Sequence, residues 1–171
     1  MKINMKLKAD LSEKVYYNYA DYPIYIKKGL LSYYPDYAAP SHWHEDIEMI
    51  AVIKGEMKYN INGKIVTLCA GEGIVINSKQ MHFGYSDEKA ECEFYCILLH
   101  PLLLCATLAY EKNFAMPIVK NKGFDFVLLS KNEAWQQNIY NLICNIYSVK
   151  NKKNCTTSGA EYIFVYMDFT L

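Results

Sequence analysis

The sequence predicts a mainly β fold, either a sandwich or a small antiparallel barrel, followed by a helical C-terminal segment. Up to Pro101, short runs of alternating apolar and polar residues are separated by Gly, Asn and Asp, at the spacing that is typical of all-β domains. After Pro101 the apolar residues recur at helical spacing. A length of 171 residues is that of one domain. We therefore expect a single domain over 1–171, with the barrel over about 20–100 and helices over about 101–171.

The alternating runs are the candidate strands of this barrel. Alternation with a period of two places one set of side chains in the core and the other in solvent. The runs cover residues 23–31, 46–54, 56–61, 64–68, 74–77, 82–86 and 93–99.

Asn62-Gly63 predicts a β-hairpin between the third and fourth runs. This dipeptide is the strongest short-range hairpin signal, because both central residues of a type I′ turn need a positive φ. A two-residue loop also fixes the register of the two strands. The expected pairs are Ile61 with Lys64, Tyr59 with Val66, and Met57 with Leu68. We expect the second and third of these pairs to face the core.

A helix is predicted from Asn132, its candidate N-cap, to about Tyr147. Its apolar residues fall at i, i+4, i+7, i+8 and i+11, which places them on one stripe. These residues are Trp135, Ile139, Leu142, Ile143 and Ile146. The stripe is consistent with packing on the barrel and with a seam between two protomers. For residues 159–169, the aromatic and β-branched composition leaves a further helix and an extended tail open.

The composition is that of a packed globular protein that does not itself grip nucleic acid. Hydrophobic residues make up 52% of the chain, and 18 basic residues balance 18 acidic ones. All the basic residues are Lys, so the Arg forks that recognise phosphates and guanines are lacking. Residues 1–18 have no secretory apolar core, and no apolar run reaches the roughly 20 residues of a membrane helix. We expect a cytoplasmic protein that does not insert into membranes and whose six cysteines are reduced.

The candidate metal-binding or ligand-binding residues are concentrated in the sequence H-x-H-x3-E-x6-G, which begins at His42. His42, His44 and Glu48 have the same parity and therefore point to one face of a continuous strand. A third histidine, His82, follows Gly71 by eleven residues. Three imidazoles and one carboxylate inside a barrel would suit a divalent transition metal such as Zn, Ni, Mn or Fe. The alternative is a metal-free polar cluster, in which an inward Glu48 still needs a partner, since a buried carboxylate is costly.

These blocks resemble the two motifs of the cupin barrels, and the order of residues across 42–86 resembles the N-terminal sensor domain of AraC-type transcriptional regulators. The resemblance extends over about residues 20–150. One departure from the second cupin motif is that residues 77–81 carry no Pro or Gly before His82.

The resemblance implies a cupin-type antiparallel barrel that binds a small effector, together with C-terminal helices that pair two copies. DNA would be contacted only through a helix-turn-helix domain, which we expect to be absent from this chain. Tyr59 and Tyr95, with polar hydroxyls on apolar rings, are predicted to join the cluster in binding the effector. The residues predicted to form the dimer are Trp135, Ile139, Leu142 and Ile146.

A stand-alone metal-dependent cupin enzyme, of dioxygenase or isomerase type, is the alternative function. An enzyme needs the complete set of metal ligands, an open coordination position and an acid or base. A sensor needs only a lined cavity with a few placed polar groups. We favour the sensor, and assign no catalytic residue.

Overall fold

A computed structural model describes residues 5–19, 22–105, 107–121 and 123–150. Its strands form two antiparallel sheets, as the alternating runs predict. The strands are β1 (Ile24–Leu30), β2 (Ile47–Lys54), β3 (Glu56–Ile61), β4 (Lys64–Cys69), β5 (Gly73–Ile76), β6 (His82–Tyr85), β7 (Glu93–Leu99) and β8 (Phe126–Leu129). Each of the first seven lies within two residues of its predicted bounds. The predicted mainly β fold is thus confirmed.

The two sheets enclose the barrel interior. One has five strands in the order β1-β7-β2-β5-β8, and the other has three in the order β4-β3-β6. The inward side chains of both sheets form one apolar cluster, which includes Ile50, Met57, Leu68, Ile74 and Phe94. This cluster is the core against which the polar site is built.

The β3–β4 hairpin forms in the predicted register. Tyr59 lies opposite Val66, and Met57 lies opposite Leu68. Asn62 and Gly63 have φ values of 51° and 86°, as a type I′ turn requires. The local turn signal is therefore enough to determine the pairing, and the more apolar of the two faces that this pairing creates enters the barrel.

The predicted helix is α3 (Ala134–Lys150), after the short α1 (Leu108–Tyr110) and α2 (Met116–Val119). Ile143 and Ile146 of α3 are buried against the outer face of the five-stranded sheet, and Ile139 and Leu142 pack around them. Ile146 therefore contacts its own sheet and not a partner's helix, which corrects its placement in a dimer seam. The reason is that the outer face of this sheet is apolar and needs a cover. Trp135 remains 53% exposed.

Strand β8 is an element that the sequence analysis did not predict, within a C-terminal segment whose described residues are mostly helical as expected. Phe126–Leu129 pairs antiparallel with β5 and forms an edge of the five-stranded sheet. Its four residues are apolar and include a β-branched Val127, but their strand conformation depends on the free edge of β5. That edge is remote in sequence, so local spacing did not reveal the pairing.

Two further sequence-based expectations concern the surroundings of this fold. The five cysteines in the described residues are all free thiols. No helix in that part of the chain combines the length and apolar character needed to cross a membrane. The expectations for residues 151–171 lie outside the described residues.

Candidate functional site

Four polar side chains meet inside the barrel at the start of β2. His42 and His44 precede β2, Glu48 is its second residue, and His82 is the first residue of β6. An isolated antiparallel bridge joins His42 to His82, in which each backbone amide donates to the other's carbonyl. All four side chains are buried, and one potential ligand atom from each lies within 4.8 Å of the others. We call these four residues the His/Glu cluster. The structure brings together the residues that the spacing predicted to converge.

Each imidazole of the cluster uses its Nδ1 for a hydrogen bond to a backbone carbonyl two residues away. For His42, His44 and His82 the acceptors are the carbonyls of Pro40, Asp46 and Gln80, at 2.9, 3.1 and 2.9 Å respectively. A carbonyl only accepts hydrogen bonds, so each Nδ1 carries a proton, and in the neutral form of such a ring the lone pair is at Nε2. This arrangement is the one that orients histidines which bind metal through Nε2.

Glu48 lies between two of the rings. Its Oε2 is 3.4 Å from Nε2 of both His44 and His82. Burial favours a raised pKa for Glu48, but His82 and His44 outweigh it and hold the pKa well below its usual range. Burial likewise opposes the charged form of His44, yet the hydrogen bond and charge of Glu48 raise its pKa. The carboxylate of Glu48 is therefore ionised in the free protein, and a proton on His44 is favoured beside it.

The cluster offers more acceptors than donors. Burial lowers the pKa of His42 to about 3, so its Nε2 is an unprotonated acceptor. Among the described residues, Nε2 of His82 is a buried polar atom without a hydrogen-bond partner. Tyr59 supplies one donor, because its hydroxyl hydrogen-bonds Oε1 of Glu48. Leaving buried acceptors unpaired is costly, and three nitrogens with one carboxylate suit a divalent transition metal. The residues present thus fit such an ion.

A cavity of about 250 Å³ opens beside the cluster. Its polar end is formed by His42, Glu48 and Tyr59. Its apolar wall includes Leu31, Ile50, Met57, Phe94, Cys96 and Leu98. A dry cavity of about 150 Å³ is enough to hold benzene. The cavity can therefore enclose a compact organic molecule whose polar group faces the cluster.

Sequence reasoning missed three residues of this cavity. Tyr25 and Tyr34 line its wall, and Glu13 reaches it from the N-terminal segment. Oε2 of Glu13 is 3.7 Å from Nε2 of His42, and burial raises the pKa of Glu13. All three act through contacts between residues far apart in sequence, so no local pattern identifies them.

Tyr95 corrects the predicted set of ligand-binding residues. Its ring stacks on Tyr147 of α3, with centroids 3.9 Å apart, on the outer face of the five-stranded sheet. Its neighbours Phe94 and Cys96 point into the cavity instead. The alternation of β7 was predicted correctly, but the face chosen as inward was the one that α3 covers.

The turn before His82 holds without glycine. Lys79 adopts a φ of 64°, a left-handed conformation that is costly for a residue with a side chain. The backbone amide of Lys79 donates to the carbonyl of His44 at 2.8 Å, and the hydroxyl of Ser78 donates to the carbonyl of Glu45 at 2.6 Å. These bonds connect the turn to the first motif and hold His82 in place.

A family model matches most of this chain. The model of the AraC-like ligand binding domain matches residues 29–152. This range includes the His/Glu cluster, the last two residues of β1, strands β2 to β8 and α3. The chain belongs to the AraC-like ligand binding domain family. The sensor-domain resemblance that the sequence carried is thereby confirmed.

A curated relative of this AraC-like domain is an uncharacterized HTH-type transcriptional regulator, YdeC, of Bacillus subtilis (strain 168). The two are 22% identical over 150 residues, which are 88% of this chain and 51% of the relative. The AraC-like domain thus spans about half the length of the curated relative that it matches.

Solved structures similar to this AraC-like domain include cupins. One is an RmlC-like cupin from Shewanella frigidimarina, with 17% identity, a TM-score of 0.39, and coverage of 44% of this chain and 64% of that one. Another is the cupin domain of Cnp3 from Schizosaccharomyces pombe, with 9% identity, a TM-score of 0.44, and coverage of 53% and 64%.

Proposed function

We propose that this domain is the effector sensor of a transcriptional regulator, and that a small organic molecule binds in the cavity beside the His/Glu cluster. The observation that carries the proposal is a cavity of about 250 Å³ with apolar walls and one polar end, in a member of this family. Few placed polar groups in a mostly apolar pocket are typical of small-molecule sites. DNA contact would come from a helix-turn-helix domain elsewhere in the regulator, and the protein would act in the cytoplasm.

We further propose that the cluster binds one divalent transition metal. His42, His44 and His82 would hold it through Nε2, and Glu48 through a carboxylate oxygen. The support is the shared tautomer of the three rings and the unpaired Nε2 of His82. When bound, the ion would supply a Lewis-acidic centre that attracts a polar group of the effector.

Metal binding is tested by isothermal titration of chelator-treated protein with Zn²⁺, Ni²⁺, Mn²⁺ or Fe²⁺. We expect one ion per chain, and at least a tenfold loss of affinity in His82→Asn. The matched control is His100→Gln, which alters the remaining histidine of the chain outside the cluster. Wild-type protein that binds none of these ions would refute the metal site but leave the effector cavity standing.

Effector binding is tested by a thermal-shift screen of compact organic molecules. The informative variant is Ile50→Phe, which adds volume to the cavity wall and should abolish the shifts. The matched control is Ile65→Phe on the exposed face of the β3–β4 hairpin, which should leave them unchanged. A compound that still raises the unfolding temperature of Ile50→Phe binds outside the cavity. Such a result would contradict the cavity as the effector site.

A metal-dependent enzyme is the second candidate, because the cluster supplies a full set of ligands and Tyr59 places a hydroxyl beside it. The test incubates the metal-loaded protein with any compound that binds, while oxygen consumption and the recovered compound are measured. Quantitative recovery without oxygen uptake favours the sensor, and turnover favours the enzyme.

We also propose that two copies form a homodimer through the part of α3 that the sheet leaves uncovered. Trp135 is the main exposed apolar side chain there, and Leu142 is only partly buried. Pairing would set two DNA-binding domains on repeated half-sites. Light scattering should show a dimer that Trp135→Asp converts to a monomer, whereas Asn141→Asp on the neighbouring surface should not. A monomeric wild type would refute this interface.

A further inference from the structure

Two carboxylates line the cavity, and histidines are the only ion-pair partners that they have among the described residues. One is Glu48 of the His/Glu cluster, whose side chain is 5% exposed. The other is Glu13, whose side chain is 16% exposed and whose Oε2 lies 3.7 Å from Nε2 of His42. Buried carboxylate oxygens are costly unless a cation or a donor pairs with them. The interior of the cavity therefore favours a positively charged occupant.

The two lysines of the cavity lining do not supply this charge. Lys6 and Lys14 are exposed, and their Nζ atoms lie 5.1 and 5.4 Å from the centroid of the exposed ring of Tyr16. They stand at the opening of the cavity, whereas the carboxylates lie inside. An anionic molecule would thus meet carboxylates at the polar end, and a cationic molecule would find partners there.

Four aromatic rings line the same cavity, those of Tyr25, Tyr34, Tyr59 and Phe94. Two of these rings lie against glycines of the neighbouring strand. Phe94 lies opposite Gly29, where a Cβ would be 2.5 Å from its ring. Tyr59 lies opposite Gly84, where a Cβ would be 2.9 Å from its ring. Because glycine is what makes room for each ring, the aromatic part of the wall is built into the strand pairing.

The rings are close to the carboxylates. The hydroxyl of Tyr59 donates to Oε1 of Glu48. Burial raises the pKa of Tyr25 and of Tyr34, and nearby groups that include both carboxylates add to this effect. The face of an aromatic ring carries partial negative charge and attracts a cation within about 6 Å. Rings and carboxylates therefore act on a bound cation in the same direction.

We propose that the effector is an organic cation, with an ammonium group on a compact apolar or aromatic body. Its N–H groups would donate to the carboxylates of Glu13 and Glu48, and the ring of Phe94 would contact the charge or the carbon atoms beside it. The apolar wall, with Ile50 and Met57, would enclose the body. The inference rests on the effector cavity of the proposed function. It concerns the protein without a metal ion in the cluster, since a divalent ion would itself supply positive charge.

The test is isothermal titration of chelator-treated protein with three compounds of similar shape and different charge. Phenethylamine is cationic at neutral pH, phenethyl alcohol is neutral, and hydrocinnamate is anionic. Hydrogen bonds to charged groups are stronger than those between neutral groups by about a factor of ten in affinity. We therefore expect the amine to bind at least about tenfold more tightly than the alcohol, and the anion to bind most weakly.

Two variants test the residues that recognise the charge. Glu13→Gln keeps the shape of the side chain and should weaken binding of the amine about tenfold, with little effect on the alcohol. Phe94→Leu keeps an apolar side chain and should weaken binding of the amine about fivefold more than that of the alcohol. The matched control is Glu45→Gln, because Glu45 is 59% exposed, pairs with Lys79 and lies outside the cavity lining. It should bind all three compounds as the wild type does. Thermal unfolding of each ligand-free variant verifies that it folds.

Equal affinity for the amine and the alcohol, or tighter binding of the anion, would overturn the inference and leave the cavity standing as the effector site. Amine binding that neither Glu13→Gln nor Phe94→Leu weakens would overturn it as well, because the amine would then bind outside the cavity. A wild-type protein that does not bind the amine also overturns the organic-cation class, while the cavity itself is judged separately by the Ile50→Phe screen.

Discussion

Replacing His42 with Asn should make the metal-free protein less sensitive to acid. The ring of His42 is buried, and its Nδ1 lies 2.9 Å from the carbonyl of Pro40. The side-chain amide of Asn can donate to the same carbonyl, but it takes up no proton in the physiological range. The substitution therefore removes the titrating group and retains a donor.

The sign and size follow from the pKa of His42, which burial lowers from 6.5 to about 3. As the pH falls below 6.5, the unfolded chain takes up a proton that the folded one does not, so acid destabilises the fold. The loss begins near the unfolded pKa and is complete only near the folded one. Between about pH 7 and about pH 4.5, this one group should cost roughly 2.5 kcal/mol of unfolding free energy.

The assay is urea unfolding of both proteins in chelator at these two pH values. The wild type should lose roughly 2.5 kcal/mol more than His42→Asn between them. Glu48 and His44 also titrate, with opposite effects on acid stability, but they are present in both proteins, so the comparison isolates His42. If both proteins lose the same stability over this interval, the neutral state assigned to His42 is wrong.

Four further substitutions test the surroundings of the cluster and the packing of α3. Lys79→Gly should stabilise the protein by about 0.5–1 kcal/mol in urea unfolding, because it relieves a left-handed φ at a modest entropic cost. Ile146→Ala should destabilise it by about 2–4 kcal/mol, while Trp135→Ala should change stability by less than about 0.5 kcal/mol. Tyr59→Phe should cost about 1.5–3 kcal/mol at neutral pH, because it removes a donor to the ionised, buried Glu48; an unchanged midpoint in urea would contradict that bond.

Sequence reasoning succeeded where neighbouring residues determine the structure. The β3–β4 hairpin was predicted to the residue pair because Asn62-Gly63 fixes its turn, and the turn fixes its register. The parity of His42, His44 and Glu48 likewise predicted their convergence, although only Glu48 lies within β2. In both cases the information is contained within a few residues of chain.

The failures arise where the conformation depends on remote partners. Phe126–Leu129 becomes β8 because β5 has an open edge. Tyr95 faces outward because α3 covers that side of β7 with Tyr147. Glu13 reaches the cluster only through its pairing with Trp43. None of these partners is visible from alternation or helical spacing.

The orientation of the three histidines explains how one cluster can be both rigid and responsive. Each Nδ1 is bonded to a carbonyl two residues away in sequence, so the rings are oriented before any ion or effector arrives. The consequence is that acceptor groups are gathered at the buried centre of the cluster, where Nε2 of His82 lies 3.4 Å from Oε2 of Glu48 and makes no hydrogen bond with the described residues. A protein in this condition gains stability from whatever supplies positive charge or hydrogen-bond donors at that point. Because β2, β6 and the N-terminal segment all meet there, that gain is shared by three parts of the chain, which is what a sensor requires.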